Sequence, residues 1–320
     1  MLLRQPALPR HDAGAQAALT PMTQGRGLPA GDAPAPPARR PDWGVQAHWP
    51  ALAALLPGLD VEVLASVGST NTVLLERLRT VDARRGPGTT LGRRSGDRNP
   101  CLLVAERQTA GRGRRGRSWQ SAPGASLTFS LALPLAPASW SGLSLAVGVA
   151  LADALDPPAG SVPPRIGLKW PNDLWLGDAP GRGRKLGGVL IETAPVGDAR
   201  VAVIGVGLNV QPLPDAAGFA TGYACLQELL PGIDAPAVLW RVALPLAQAL
   251  RRFEREGFAA FAAAYGRRDL LAGQTVRTTD PAVPEGLAEG VDGDGALRVR
   301  AGGVLHKLVG GEVSVRPAGG

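Results

Sequence analysis

The chain has 320 residues, 45% hydrophobic and 4% aromatic, with a net charge of +7 and two cysteines; this length and apolar content allow more than one core. The charge is local: residues 84–98 carry +4, 107–117 carry +5 and 182–185 carry +3, so the remainder nets −5. That distribution excludes the broad basic face of a general polyanion binder. Cys101 and Cys225 are far apart in apolar sequence with no Cys-x-x-Cys, which argues against a disulfide framework or zinc site and fits a reducing cytoplasm. No apolar run free of charge and proline reaches the ~18 residues a membrane span needs, and the first residues lack a secretory signal's apolar region.

Residues 1–42 hold eight prolines and no Val, Ile, Phe, Tyr or Trp. Such a segment buries too little apolar surface to offset its ordering entropy, so it reads as a disordered Pro/Ala-rich tail. A short helix is expected to end at Pro57-Gly58, then a strand at Val61–Ala65. A second helix follows Gly68, with Ser69 or Thr70 as N-cap. Residues 84–99 form a basic, Gly-rich loop. Cys101–Ala105 is a buried-type strand, Ser126–Leu133 an alternating strand and Leu143–Leu155 an apolar helix. Ile166–Trp170 reads as a strand that Leu174-Trp175-Leu176 continues. Gly181–Arg184 reads as a second Gly/Arg loop, and Val189–Glu192 and Val201–Val210 as partner strands. Helical spacing from Pro236 to about Arg268 breaks near Gly257. The last fifty residues carry short strands at 276–278, 286–291, 297–300 and 313–315, with Asp292-Gly293-Asp294-Gly295 as a hairpin turn. The fold class is α+β: a mixed sheet with helices over 43–267, followed by a small antiparallel barrel over 268–320.

The stretch Gly111–Arg117 packs four arginines and three glycines into seven residues, with Trp119 two residues on. The glycines match G-x-G-x-x-G after a strand, but a dinucleotide fingerprint opens a helix, and here Ser121-Ala122-Pro123-Gly124 leads to another strand. An RNA-binding tract calls for stacking aromatics, and only Trp119 is near. Crowded arginines repel, so an anionic ligand relieves an electrostatic cost, and their planar forks suit carboxylate and phosphate. Taken singly, Ser69-Thr70-Asn71 is explained as a helix cap, Trp170–Asp173 as a turn and Lys185 as a surface lysine.

Their order is more specific. Ser69-Thr70-Asn71, Glu106 to Trp119, Lys169-Trp170-Pro171-Asn172-Asp173, Lys185 to Glu192 and Gly205-Val206-Gly207-Leu208-Asn209 together resemble the bacterial biotin protein ligases over roughly residues 60–318. The resemblance implies a class II synthetase-like biotin/lipoate ligase catalytic domain with a C-terminal SH3-like barrel. It implies an ATP-dependent ligase that joins biotin to a lysine of a biotin carboxyl carrier protein of a carboxylase through biotinyl-5′-AMP. Biotin and ATP are then the substrates, Mg²⁺ arrives with the nucleotide, and no protein metal cage is expected.

By motif, the resemblance places Ser69, Thr70, Asn71 and Gln108 on biotin, with Arg112, Gly113 and Arg114 over biotin and the adenylate phosphate. Lys185 would stabilise charge on the carboxylate and α-phosphate, acting with Arg114 and Arg112 in catalysis. Gly188 would let the backbone approach the ligand. Arg115 and Arg117 would order the loop or meet the triphosphate. Asn172, Asp173 and Asn209 fall on the nucleotide side, with Asp173 beside the incoming lysine, and Trp119 either packs on adenine or closes the loop. Residues 1–42 cannot build a helix-turn-helix, so DNA binding is not expected. A monomer and a ligand-promoted homodimer both stay open, and the location expected is cytoplasmic. The alternatives are a nucleic-acid-binding module and a non-catalytic biotin-binding protein.

Overall fold

The computed structural model describes residues 41–83, 98–160, 162–179, 182–213, 219–310 and 315–317. The expectations for residues 1–40, for the loop at 84–97, and for Gly181, Val313 and Ser314 fall outside the described residues.

Alternation along the strands decides how the layers form. In β2 (Cys101–Ala105) and β3 (Ser126–Pro134), Leu102, Val104, Leu127, Phe129 and Leu131 point to one face, and Leu103 and Ala132 to the other. The first face is covered by α1 (Val45–Leu55), α3 (Leu143–Leu155) and α4 (Ala235–Glu256), the second by α2 (Thr70–Ala83) through Leu74 and Leu75. With β1 (Asp60–Leu64), β4 (Ile166–Lys169), β5 (Asp173–Ala179), β6 (Arg182–Val196) and β7 (Ala199–Asn209), they form a seven-stranded sheet ordered β1-β2-β3-β7-β6-β5-β4. The β1–β2 pair is parallel and the other pairs are antiparallel. Asp234 caps α4 by accepting from the Ala237 amide at 2.9 Å, and the helix stops at Gly257, whose φ is +67°. A short helix α5 (Ala262–Gly266) follows.

Two expectations change. The segment 174–176 does not continue the strand before it. The chain reverses through Trp170-Pro171-Asn172, where the Trp170–Pro171 peptide is cis, and β5 returns antiparallel to β4. Arg182, Gly183 and Arg184 are not a loop but the start of β6, paired with β5, so Gly183 is a strand glycine pressed on the Leu176 carbonyl. β3 does alternate, yet its polar residues Ser126, Thr128 and Ser130 are buried, because that face lies under the α2 side of the sheet.

The C-terminal strands β8 (Thr275–Thr278), β9 (Glu285–Val291), β10 (Leu297–Ala301), β11 (Val304–Leu308) and β12 (Val315–Pro317) form a five-stranded antiparallel sheet ordered β11-β10-β9-β8-β12. The hairpin turn falls where expected: Gly295, at φ +80°, donates to the Asp292 carbonyl, and Asp292 donates to Ala296. β11 is the strand the sequence hides, since only Leu308 of its five residues is buried and no apolar alternation marks it. Val276, Leu297 and Val299 join the main core, and the Trp170 indole donates to the Gly295 carbonyl at 3.1 Å.

Candidate active site

A row of glycines clears the sheet face beside the start of α2. Ser130 pairs with Gly205 and Gly205 with Leu190; Thr128 pairs with Gly207 and Gly207 with Gly188. A Cβ on Gly205 would lie 2.3 Å from Asn71 Oδ1, one on Gly207 2.5 Å from the Trp119 ring, and one on Gly188 3.3 Å from Asp173 Oδ1. The space so kept is a cavity of about 850 Å³, within the ~300–1,000 Å³ range of ligand clefts. Fourteen of the fifteen predicted site residues line it; Asn209 does not. The barrel strands also supply wall residues, Thr275 and Val315, which no motif marked.

At one end, Thr70 donates its backbone N–H to Gln108 Oε1 at 2.7 Å, so a side chain far along the sequence satisfies the first amide of α2. The Thr70 hydroxyl also lies 3.1 Å from that oxygen. Ser130 Oγ is 2.6 Å from both Thr70 Oγ1 and Asn71 Oδ1. The Asn71 amide nitrogen donates to the Leu190 carbonyl at 3.2 Å and to Glu192 Oε2 at 2.9 Å. Glu192 in turn takes both arms of Arg112, at 2.9 and 3.2 Å. Gln108 and Arg112, which flank the turn into the arginine loop, thus hang on one hydrogen-bonded chain. Asn71 is a strut of that chain, its amide nitrogen committed. Ser130 and Glu192 escaped the sequence reading. Ser130 sits on the polar side of an alternating strand, and Glu192 ends the Lys185–Glu192 motif, so both carried a signal.

The arginine loop is a closed turn and no helix follows it, in line with the rejected dinucleotide reading. Gly111 and Trp119 are joined by a 2.8 Å backbone bond and Gly113 and Arg117 by one of 2.7 Å, around a 3-10 turn at Arg114–Gly116. Arg115 has φ +58° and Gly116 +71°. The loop leans on the barrel: Arg114 donates to Asn172 Oδ1 at 3.2 Å and to the Gly310 carbonyl, and Arg115 donates to Thr279 Oγ1 at 3.3 Å. Burial pushes the Arg114 guanidinium below its ordinary value, against the pull of Asp173. Trp119 lies on Gly207, its indole N–H buried and without a hydrogen-bond partner among the described residues.

At the other end, Lys185 Nζ is 2.9 Å from Asp173 Oδ1. A register shift between Leu174–Gly187 and Trp175–Lys185 aims Lys185 to the cavity side. Asn172 donates to the Val189 carbonyl at 2.8 Å. Asn209 instead bonds the carbonyls of Lys185 and Ala224 at 3.2 and 2.9 Å, holding the Lys185 backbone from outside the cavity. Lys185 and Leu190 stand five residues apart on β6, roughly 16 Å at a strand's rise, so the cleft is long enough for two joined ligands. Among its described lining residues are seven basic side chains and one carboxylate, Asp173.

This fold and site define a ligase of the biotin/lipoate type. Residues 92–209 match the Biotin/lipoate A/B protein ligase family and residues 273–316 the Biotin protein ligase C terminal domain. The chain is 35% identical over 269 residues to the "Bifunctional ligase/repressor BirA" of Escherichia coli, covering 82% of this chain and 76% of that protein. It is 32% identical over 270 residues to the "Biotin--[acetyl-CoA-carboxylase] ligase" of Mycobacterium tuberculosis, covering 79% of this chain and 88% of that one. Among solved structures it is similar to the biotin protein ligase from Aquifex aeolicus in complex with biotin and ATP, at 26% identity and a TM-score of 0.61, over 81% of this chain and 99% of that one. The chain belongs to the biotin protein ligase family.

Proposed function

We propose that this chain joins biotin to a lysine of a biotin carboxyl carrier protein in two steps within the one cleft. The biotin carboxylate attacks the α-phosphorus of ATP, forming an acyl–phosphate bond and releasing pyrophosphate. The carrier lysine amine, having lost a proton, then attacks the acyl carbon, and AMP leaves with the bridging oxygen. The observation that carries this reading is the meeting of all five motif stretches around one cleft, fourteen of whose predicted residues line it.

An anionic nucleophile attacking a polyanion needs charge neutralisation and alignment more than a dedicated acid. Among the described residues, seven basic side chains against one carboxylate provide that. Thr70, Gln108 and Arg112 hold biotin at the α2 end, with Ser69 and Asn71 shaping the pocket. Arg114 and Lys185 face the carboxylate and α-phosphate, Arg115 and Arg117 the phosphates beyond, and Asn172 and Trp119 the nucleoside. Asn209 positions Lys185 rather than touching ligand. Asp173 is tied to Lys185 at 2.9 Å. Mg²⁺ enters on the nucleotide and supplies charge neutralisation there. Asp173, once ATP draws Lys185 away, is placed to accept the lysine proton. The carrier partner, a cytoplasmic location and the absence of DNA binding belong to this proposal. No helix among the described residues is long and apolar enough to cross a membrane.

The test is biotin-dependent ATP–pyrophosphate exchange, followed by transfer to a carrier domain with lipoate as control. Exchange is expected with biotin and not with lipoate. Lys185→Ala should lower it by roughly 10²-fold or more, the scale of losing one preorganised charge contact. Protein that binds biotin but shows no exchange would instead be a binding module.

A further inference from the structure

Arg184, read in sequence as part of a second Gly/Arg loop, does not line the cavity, yet every donor of its guanidinium is used. Nε and Nη2 donate to the two Asp178 oxygens, each at 3.0 Å. Nη1 donates to the Tyr223 carbonyl at 2.9 Å and to Glu228 Oε1 at 3.1 Å, and Nη2 to Glu228 Oε2 at 2.8 Å. A guanidinium has five N–H donors, and all five are matched here. The hydrogen bonds from Arg184 are the first cause of the lowered pKa of both Asp178 and Glu228.

The partners lie on two separate pieces of chain. Asp178 is on β5, next to β6. Tyr223 and Glu228 belong to the strap after β7, which returns along β6: Tyr223 bridges Lys185, and the Ala224 amide donates to the Lys185 carbonyl at 3.0 Å. Gly222, at φ +66°, lies on the Arg184 stem, where a Cβ would come within 2.7 Å of Cγ. Just before it, Ala220 and Thr221 line the Lys185 end of the cleft.

We propose that Arg184 is a positioning residue that clamps strap 219–228 to β5 and β6, and so holds both the wall at the nucleotide end of the cleft and the backbone of Lys185. The role in turnover rests on the ligase reading; the clamp itself does not. A surface ion pair would contribute little, but a doubly bidentate guanidinium bridging three segments is a geometric device that a point charge cannot replace.

Two readouts test it. The first needs no activity: hydrogen–deuterium exchange at the Ala224 amide should speed up by roughly tenfold in Arg184→Ala, as local opening becomes easier. The second is kinetic: KM for ATP should rise roughly tenfold while the affinity for biotin alone falls by about twofold at most, since biotin meets the clamped region only through Lys185 and is otherwise held at the end that hangs on Glu192 and Gln108. Arg184→Lys and Glu228→Gln should show the same split to a smaller degree, and they carry the test if Arg184→Ala fails to fold. Unchanged Ala224 exchange in these variants, or equal weakening of biotin and ATP, overturns the proposal. Wild-type protein without biotin-dependent exchange would overturn the ligase reading, while amide exchange still decides the clamp.

Discussion

Glu192 shows how much a residue outside direct ligand reach can decide. It takes both arms of Arg112 and the amide of Asn71. Glu192→Gln keeps the shape but loses one acceptor and the charge, so Arg112 loses its bidentate partner. Biotin affinity is expected to fall roughly tenfold, the scale of one charge-assisted hydrogen bond, with KM for ATP little changed; calorimetric titration of biotin alone checks this. Gly207 offers a second test. A methyl there would lie 2.5 Å from the Trp119 ring, on a strand whose backbone is itself unstrained. Gly207→Ala should displace the indole and lower adenylation by about 10²-fold, as small misplacements in an aligned site do. Unaltered Trp fluorescence and exchange rate in that variant would count against Trp119 as a cleft wall.

Elements are held by a few charged anchors between them. Arg268, 3% exposed, follows α5 and reaches Asp153 on α3 at 2.8 Å and the Ile166 carbonyl of β4 at 2.8 Å. Arg268→Ala leaves the buried Ile166 carbonyl without its donor, while the Asp153 carboxylate, 36% exposed, stays reachable by water, so unfolding stability should fall by ~1–3 kcal/mol in denaturant titration. The Arg184 clamp predicts a pH dependence. Asp178 and Glu228 are held below their ordinary values of 3.8 and 4.5, first by hydrogen bonds from Arg184. A depressed folded-state pKa stabilises above the unfolded value and is lost as pH falls through the folded one. Stability should therefore be flat above about pH 5 and decline below it, the more gently in Arg184→Ala; melting temperatures across pH 3–6 report it. Both carboxylates are partly exposed, so the effect is modest.

Across the whole molecule, charge is gathered where the chemistry is proposed. The chain is +7 overall, and among the described residues seven basic side chains line the cleft against one carboxylate. Raising ionic strength from about 0.05 to 0.5 M shortens the screening length severalfold, so kcat/KM for ATP should fall while kcat changes less. Much of this was legible in one dimension. The apolar helices, the strands of the main sheet, the Asp292–Gly295 turn and the order of the motifs each follow from local rules: periodicity, turn chemistry and residue type. What those rules miss is pairing. The reversal at Trp170–Asn172 turned one expected strand into two, and pairing with β5 turned the second Gly/Arg loop into a strand whose Arg184 anchors rather than binds anions. Ser130 and Glu192 carried a signal but no role until their partners on α2 and the arginine loop were known, and the wall at Thr275 and Val315 had no signal at all. The sequence by itself determined the residue types and their order, and hence the family. Only the tertiary structure decided which arginine faces the cleft and which does not line it, because side-chain direction depends on strand register and on the bulge at Leu186, next to Lys185.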